Sequence, residues 1–289
     1  MKPPRFDYAD PRTLGEAVAL LQQHEGEAKL LSGGQSLVPL LNMRLARPAI
    51  LVDLAKVAGL DHVREDGATL AIGAMTRQRS VELSPVVKAR HPMLHAATLH
   101  IAHPQNRNQG TVGGSLAHAD PAAELPALAL VLGAEMRAVG PGGERTIGAA
   151  EFFVTYLTTA LEPSEILIEA RFPTLPPRTG WSVTEVARRH GDFALAGVMA
   201  TVTLDDRGRC ATARLVLFGV GATPVRAPRA EQMLAGERPE AALFERAGRT
   251  AAEEIGEPLA DVHASAEYRR DLARVLGRRA LAEAAARAA

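Results

Sequence analysis

Two short glycine-rich motifs constrain this chain more than anything else in it: Ser32-Gly33-Gly34-Gln35-Ser36 and Thr111-Val112-Gly113-Gly114-Ser115, each at the end of a strand-like or polar lead-in and each flanked by hydroxyl side chains. A Gly-Gly pair lets consecutive backbone N–H groups turn toward one point without a Cβ in the way, and such a concavity suits a phosphate. Two of them read as a clamp for the pyrophosphate of a long dinucleotide.

Two other phosphate-binding readings fail. Leu31 to Gln35 spells the signature of ABC-type ATPases, but such an enzyme also needs a Gly-Lys pair in a phosphate loop. The four lysines, Lys2, Lys29, Lys56 and Lys88, never follow a glycine. The one near match to a Rossmann fingerprint, Gly219-Val220-Gly221-Ala222-Thr223-Pro224, lacks its third glycine and carries a proline where a helix should begin. A strand ending in a tight turn is the better reading there.

Composition narrows the function classes. Lys plus Arg and Asp plus Glu are balanced at 33 each, so the chain lacks the positive excess that a nucleic-acid partner requires. A single cysteine, Cys210, excludes an intrachain disulfide and a cysteine-held iron–sulfur cluster on this chain alone. The N-terminus has no apolar targeting segment and no apolar run approaches a membrane span, so a cytoplasmic protein is expected.

Along the chain, a strand near Phe6 to Tyr8, a capping box at Thr13 to Glu16 and a helix through Ala17, Leu20 and Leu21 lead to the first glycine motif. A short helix over Leu37 to Asn42 and a strand at Ile50 to Asp53 close a first lobe. A hairpin around Asp66-Gly67 follows, and Thr76 is expected to cap a helical region. The polar stretch His103 to Gly110 reads as an approach loop feeding the second glycine motif. Strands are expected at Glu135 to Val139 and Glu165 to Phe172. The Pro173 to Pro177 segment then marks a boundary before strands near Trp181 to Val186, Ala194 to Leu204 and Cys210 to Val220. A long amphipathic helix over Ser265 to Ala288 ends the chain.

Taken in order, these segments resemble the flavin-binding medium subunit of molybdenum-containing hydroxylases, the group that includes carbon monoxide dehydrogenase and the flavin portion of xanthine dehydrogenase. The resemblance spans essentially the whole chain. It rests on Phe6 to Tyr8, the glycine motif at Ser32 to Ser36, Arg107-Asn108-Gln109-Gly110-Thr111-Val112-Gly113-Gly114, Asp120 to Glu124 and Glu165-Ile166-Leu167. Later marks are Arg188-Arg189-His190-Gly191-Asp192-Phe193-Ala194 and Tyr268-Arg269-Arg270. It implies an α+β fold: a two-lobed FAD-binding domain of the PCMH type, with lobes at 1–55 and 56–176, then a C-terminal α+β domain at 177–289 built on a three-stranded antiparallel sheet with helices.

The same resemblance implies FAD as the cofactor of this chain. It puts the molybdenum cofactor on a large partner subunit and two [2Fe–2S] clusters on a small one, in a dimer of heterotrimers whose electrons leave through the flavin. The implied cofactor contacts are Leu31, Ser32, Gly33, Gly34, Gln35, Ser36 and Leu37 in the first motif and Thr111, Gly113, Gly114 and Ser115 in the second. To these it adds His118, an acidic contact at Glu124, the apolar Ile101 and Leu167 near the flavin ring, and the aromatic Phe193 over it. No side chain is expected to act as a catalyst.

Two departures limit the transfer. Glu185 stands where the xanthine dehydrogenase branch has a lysine beside the flavin, and Asn106 stands where relatives commonly carry isoleucine. His91 and His95, four residues apart, have the spacing of a metal pair, yet no carboxylate or cysteine joins them; two solvated histidines on a helix are expected instead. Competing functions are a stand-alone FAD-dependent oxidoreductase, which would need its own substrate base, and a flavin-free assembly or scaffold protein, against which the intact glycines argue.

Overall fold

The computed structural model describes residues 1–289. Its first unit contains β1 (Asp7–Ala9), α1 (Leu14–Gln23), β2 (Ala28–Leu31), α2 (Leu37–Asn42) and β3 (Ile50–Asp53). The Thr13 capping box forms as the sequence indicates, with the Glu16 amide donating to Thr13 Oγ1. The three strands run parallel in the order β1-β3-β2. Ile50, Leu51 and Val52 are all buried because β3 is central, which is why this strand reads as a continuous apolar run.

The second unit opens with the expected hairpin, β4 (Val63–Asp66) and β5 (Thr69–Gly73). Six helices follow: α3 (Gln78–Leu83), α4 (Pro85–Arg90), α5 (Pro92–His100), α6 (Pro104–Gln109), α7 (Val112–His118) and α8 (Glu124–Leu132). The chain then forms β6 (Glu135–Gly140), β7 (Gly143–Gly148), α9 (Ala149–Phe152), the small pair β8 (Phe153–Thr155) and β9 (Thr158–Thr159), and β10 (Ile166–Pro173). The five-stranded sheet has the order β4-β5-β10-β6-β7.

Strand β10 ties the two units together. Leu167, Ala170 and Phe172 belong to the core shared with the helices, whereas Ile166 and Ile168 pack with Ala17, Val18, Leu21 and Val52 of the first unit. In its middle sits Glu169, 3% exposed, accepting from Arg137 Nη1 at 3.0 Å, from Arg64 Nη2 at 3.0 Å and facing His62 Nε2 at 2.9 Å. Burial alone would raise its carboxyl; the guanidinium and imidazole neighbours hold it below the usual range.

The third unit is an antiparallel sheet of β11 (Thr179–Val186), β12 (Ala196–Leu204), β13 (Cys210–Phe218) and β14 (Val225–Arg226), followed by α10 (Pro228–Leu234), α11 (Ala241–Glu254) and α12 (Ala266–Ala288). The three strands read from the sequence are thus joined at one edge by a two-residue fourth. On β12, Ala196, Val198, Ala200 and Val202 pack under the C-terminal helices, while Met199 points into the core of the second unit. This period-two alternation makes the sheet a partition between two cores.

Several local expectations change. His103 to Gly110 is not an open loop: α6 occupies Pro104–Gln109 and buries Arg107, because the guanidinium is paired with Glu82. The second glycine motif is not a loop either, since Gly113 and Gly114 form the first turn of α7 behind the Thr111 cap. Thr76 caps no helix; its hydroxyl donates to His62 O at 2.9 Å. His91 is buried rather than solvated, and burial pushes its imidazole below the ordinary value. The strand β7 and the β8–β9 pair were not legible in the pattern, being mostly exposed and short.

The approach of α12 to β11 depends on Gly180, where a Cβ would overlap Ala284 O and lie 2.5 Å from the Ala288 amide. Gly180→Ala is therefore expected to destabilise the chain by about 2 kcal/mol, measured as a fall in the denaturation midpoint, with cofactor content of the folded fraction unchanged.

Candidate cofactor site

The two glycine motifs meet in space. A Cβ on Gly33 would overlap Gln109 O and lie 2.8 Å from Gly110 Cα, and one on Gly114 would lie 3.4 Å from Ser32 Cβ. Asn106 Nδ2 donates to Gln35 Oε1 at 3.3 Å across the same junction. Asn106 therefore makes a polar tie that an isoleucine at this position lacks.

Their amides are used differently. In the second motif, Val112 N donates to Thr76 O, Gly113 N to Ala74 O, Gly114 N to Thr111 Oγ1 and Ser115 N to Thr111 O, so four of its five N–H groups are occupied and only Thr111 N donates to no group of the chain. Gly113 is a packing glycine, since a Cβ would come within 2.6 Å of Ala74 Cα. In the first motif the amides of Gly33, Gly34, Gln35 and Ser36 donate to no group of the chain. Gly34 has φ +71°, the left-handed conformation that reverses the chain between β2 and α2. The Ser36 hydroxyl is likewise unengaged at the start of α2. The free amides suited to an anion thus lie mainly in the first motif, and the second packs tightly against it with the Thr111 and Ser115 hydroxyls.

A second part of the site is built around Arg107. Its Nε donates to Glu82 Oε2 at 2.8 Å and its Nη1 to the carbonyls of Ile101 at 2.7 Å and Ala102 at 3.3 Å. Burial would raise the Glu82 carboxyl, but Arg107 and Arg79 hold it below its ordinary value. The clamp holds Ala102 at φ +42°, an unfavourable region for a residue with a Cβ. Gly191, at φ +87°, comes so close to this bend that a Cβ would lie 2.5 Å from His103 Cε1 and 2.9 Å from Ala102 O. The β11–β12 connection is fastened at its far end by Arg269, which donates to Leu195 O at 2.5 Å and Gly219 O at 2.8 Å. Between these anchors Phe193 stands 66% exposed, a large apolar ring with no protein cover.

The remaining expected residues separate. Ile101 is half-buried at the bend, whereas Leu167 packs inside the core of the second unit. His118, half-buried at the end of α7, has its imidazole pushed down by burial. Glu124 opens α8 and is buried; desolvation, then the charge of Glu185, push its carboxyl up to about 8. At neutral pH it is a protonated acid and a donor as well as an acceptor. The side chain of Glu185, on β11, is 6% exposed, meets His100 Nδ1 at 3.3 Å through Oε1, and leaves Oε2 without a partner. The sequence marks Glu185 only as a departure and does not reveal Arg107 and Arg269 as structural clamps, because Arg107 is fixed by the Glu82 side chain 25 residues away and Arg269 by the carbonyls of Leu195 and Gly219, 74 and 50 residues away.

Free amides and a hydroxyl at a glycine cradle, an uncovered aromatic ring and an unpartnered buried carboxylate oxygen fit a large, anionic, ring-bearing cofactor. No group of three or more His, Cys, Asp and Glu side chains is arranged to hold a metal.

Comparison with known proteins agrees with this chemistry. Residues 4–175 match the model of the FAD binding domain in molybdopterin dehydrogenase, and residues 181–284 match the CO dehydrogenase flavoprotein C-terminal domain. The chain belongs to the FAD-binding medium subunits of molybdenum hydroxylase-type dehydrogenases. It is 42% identical to the 6-hydroxypseudooxynicotine dehydrogenase complex subunit alpha of Paenarthrobacter nicotinovorans, over 100% of this chain and 97% of that one. It is 40% identical to the carbon monoxide dehydrogenase medium chain of Hydrogenophaga pseudoflava, over the full length of both. The solved carbon monoxide dehydrogenase from H. pseudoflava superposes with a TM-score of 0.96, covering 100% of each chain, at 40% identity. Quinoline 2-oxidoreductase from Pseudomonas putida 86 gives 0.94 over 100% of this chain and 99% of that one, at 37% identity. This chain is accordingly an FAD-binding oxidoreductase subunit of the medium-chain type.

Two outcomes are expected from this geometry. Gly33→Ala forces the first motif off the Gln109–Gly110 backbone and should reduce bound FAD at least tenfold. Gly142→Ala, at a turn where a Cβ meets nothing within 4 Å, should leave it unchanged; FAD released per polypeptide measures both. The raised Glu124 carboxyl means that the folded chain keeps a proton which the unfolded chain has released between pH 4.5 and about 8. Its contribution to stability therefore falls as pH rises through that window. Glu124→Gln should raise the melting temperature of the flavin-free chain more at pH 8 than at pH 5.

Proposed function

We propose that this chain is the electron-exit subunit of a molybdenum hydroxylase-type dehydrogenase, receiving electrons from the [2Fe–2S] clusters of a small partner subunit and delivering them to an external acceptor. The observation that carries the reading is the set of unengaged amides at Gly33, Gly34, Gln35 and Ser36, held against the Gln109–Gly110 backbone in a chain with full-length medium-subunit relatives. Bound FAD supplies the two-electron redox chemistry.

The chain's own residues bind and orient. The first-motif amides and the hydroxyls of Ser36, Thr111 and Ser115 neutralise the pyrophosphate, with Leu31, Ser32 and Leu37 shaping the cradle and Gly113 and Gly114 admitting close approach. Ile101 and Phe193 shield the ring system from water, Leu167 supports that face from the core, and His118 and the protonated Glu124 offer polar contacts. No nucleophile or substrate base is called for. Substrate choice rests with the large subunit: the similar chains named above belong to enzymes named for carbon monoxide, a nicotine derivative and quinoline.

In this reading the units at 1–55, 56–176 and 177–289 are two FAD-binding lobes and a docking domain, and the complex is a dimer of heterotrimers acting in the cytoplasm. No helix is long and apolar enough to cross a membrane, and Cys210 is the lone, buried cysteine. The test is purification of the chain with its accompanying proteins from its own cells. FAD, iron–sulfur absorbance and molybdenum in the same particle are the expected result. FAD on a lone, catalytically competent chain would instead support a stand-alone oxidoreductase, and a chain that takes up no FAD would sink the reading.

A further inference from the structure

The β11 strand brings beside the Ile101–Ala102 bend, through its contact with His100, a carboxyl group that the binding role leaves unused. Glu185 alternates with Trp181 and Val183 on the face of the sheet that packs toward the core of the second unit, and it pairs across to Gly197 on β12. Its Oε1 meets His100 Nδ1 at 3.3 Å; its Oε2 is buried and unpartnered. His100 is the last residue of α5 and directly precedes Ile101 and the strained Ala102 bend. The hydrogen bond to Glu185 raises the imidazole against the opposing effect of burial, as a helix C-terminus also favours.

The other charged groups around this pair do not cancel it. Glu124 on α8 feels the Glu185 charge and, with its carboxyl raised to about 8, adds little of its own, whereas Asp120 before α8 adds a negative charge. Arg107 on α6 is the neighbouring cation, but Glu82 on α3 already holds it. After β11, Arg188 and Asp192 lie 3.5 Å apart and face each other. The pair is therefore oriented with its positive end on α5 and its negative, unpartnered end within an acidic neighbourhood.

Resting on the FAD reading above, we infer that Glu185, positioned by His100, sets the protonation state of the reduced flavin and thereby its potential. Oxidised flavin takes two electrons and one proton to give the anionic reduced ring, and a second proton, bound at ring nitrogen, gives the neutral one. A carboxylate near the ring would disfavour the anion, so electrons arriving from a donor would be accompanied by the second solvent proton over a wider pH range. Glu185 is a positioning and tuning residue here, not a catalytic one.

The test is a spectroelectrochemical titration of the full-length, FAD-loaded chain across neutral to alkaline pH, with dithionite as reductant. FAD content and thermal unfolding are recorded first. Glu185→Gln is expected to keep its FAD and lower the pH at which reduced flavin loses its proton by about one unit, a tenfold gain in acid strength. Above that pH its midpoint potential rises by about 30 mV, the two-electron equivalent of tenfold. Glu185→Asp, which keeps the charge, should stay near wild type, and His100→Gln, which removes the compensating end, should move the ionisation the other way. If Glu185→Gln does not fold or hold FAD, His100→Gln carries the test. A common ionisation in all FAD-loaded variants, or Asp shifting as far as Gln, overturns this inference alone. A wild-type chain that binds no FAD overturns the reading beneath it as well.

Discussion

The close approach of two backbones, Ser32–Gly34 against Gln109–Gly110, is the constraint on which the rest of the site depends. No side chain fits between them, and the contact exists only because Gly33 lacks a Cβ. It brings a parallel three-stranded unit against the helical layer of an antiparallel one. β10 then fixes their relative position by contributing Ile166 and Ile168 to one core and Leu167, Ala170 and Phe172 to the other. The cradle amides stay free because the strand-to-helix reversal at Gly34 turns them away from any ladder.

Buried arginines provide the second level of organisation. Arg107 spends its donors on Glu82 and on the carbonyls of Ile101 and Ala102, and Arg269 spends its donors on Leu195 O, Gly219 O and Asp261. In both cases a charged planar donor with a fixed fork replaces missing secondary structure, satisfying backbone carbonyls at chain bends. The two bends bracket Phe193, so the exposed ring is presented from a fixed frame. The acidic pair Glu185 and Glu124 sits beside that frame, and burial, then the Glu185 charge, raise the Glu124 carboxyl.

Much of the architecture was legible beforehand because its signals are local. The capping box at Thr13, the apolar run Ile50 to Val52, the Asp66-Gly67 hairpin and the alternation along β12 each reflect periodicity or turn chemistry that operates within a few residues. What escaped was settled by partners distant in sequence. The polar string Pro104 to Gln109 reads as a loop, yet it folds as a helix because Glu82 neutralises its arginine. His91 reads as a surface histidine, yet α5 packs it inward. The second glycine motif looked like a twin of the first, but Ala74 O and Thr76 O claim its leading amides.

The sequence by itself determined the glycines that permit close approach, because steric permission is local, and the order and spacing of its motifs carried the resemblance that implied the family and FAD. The tertiary structure alone decided which glycine motif offers free amides, which carboxylates are buried, and which arginines act as clamps. Those properties depend on desolvation and on hydrogen-bond partners supplied by segments far apart in the chain, and neither is written in any local stretch of residues.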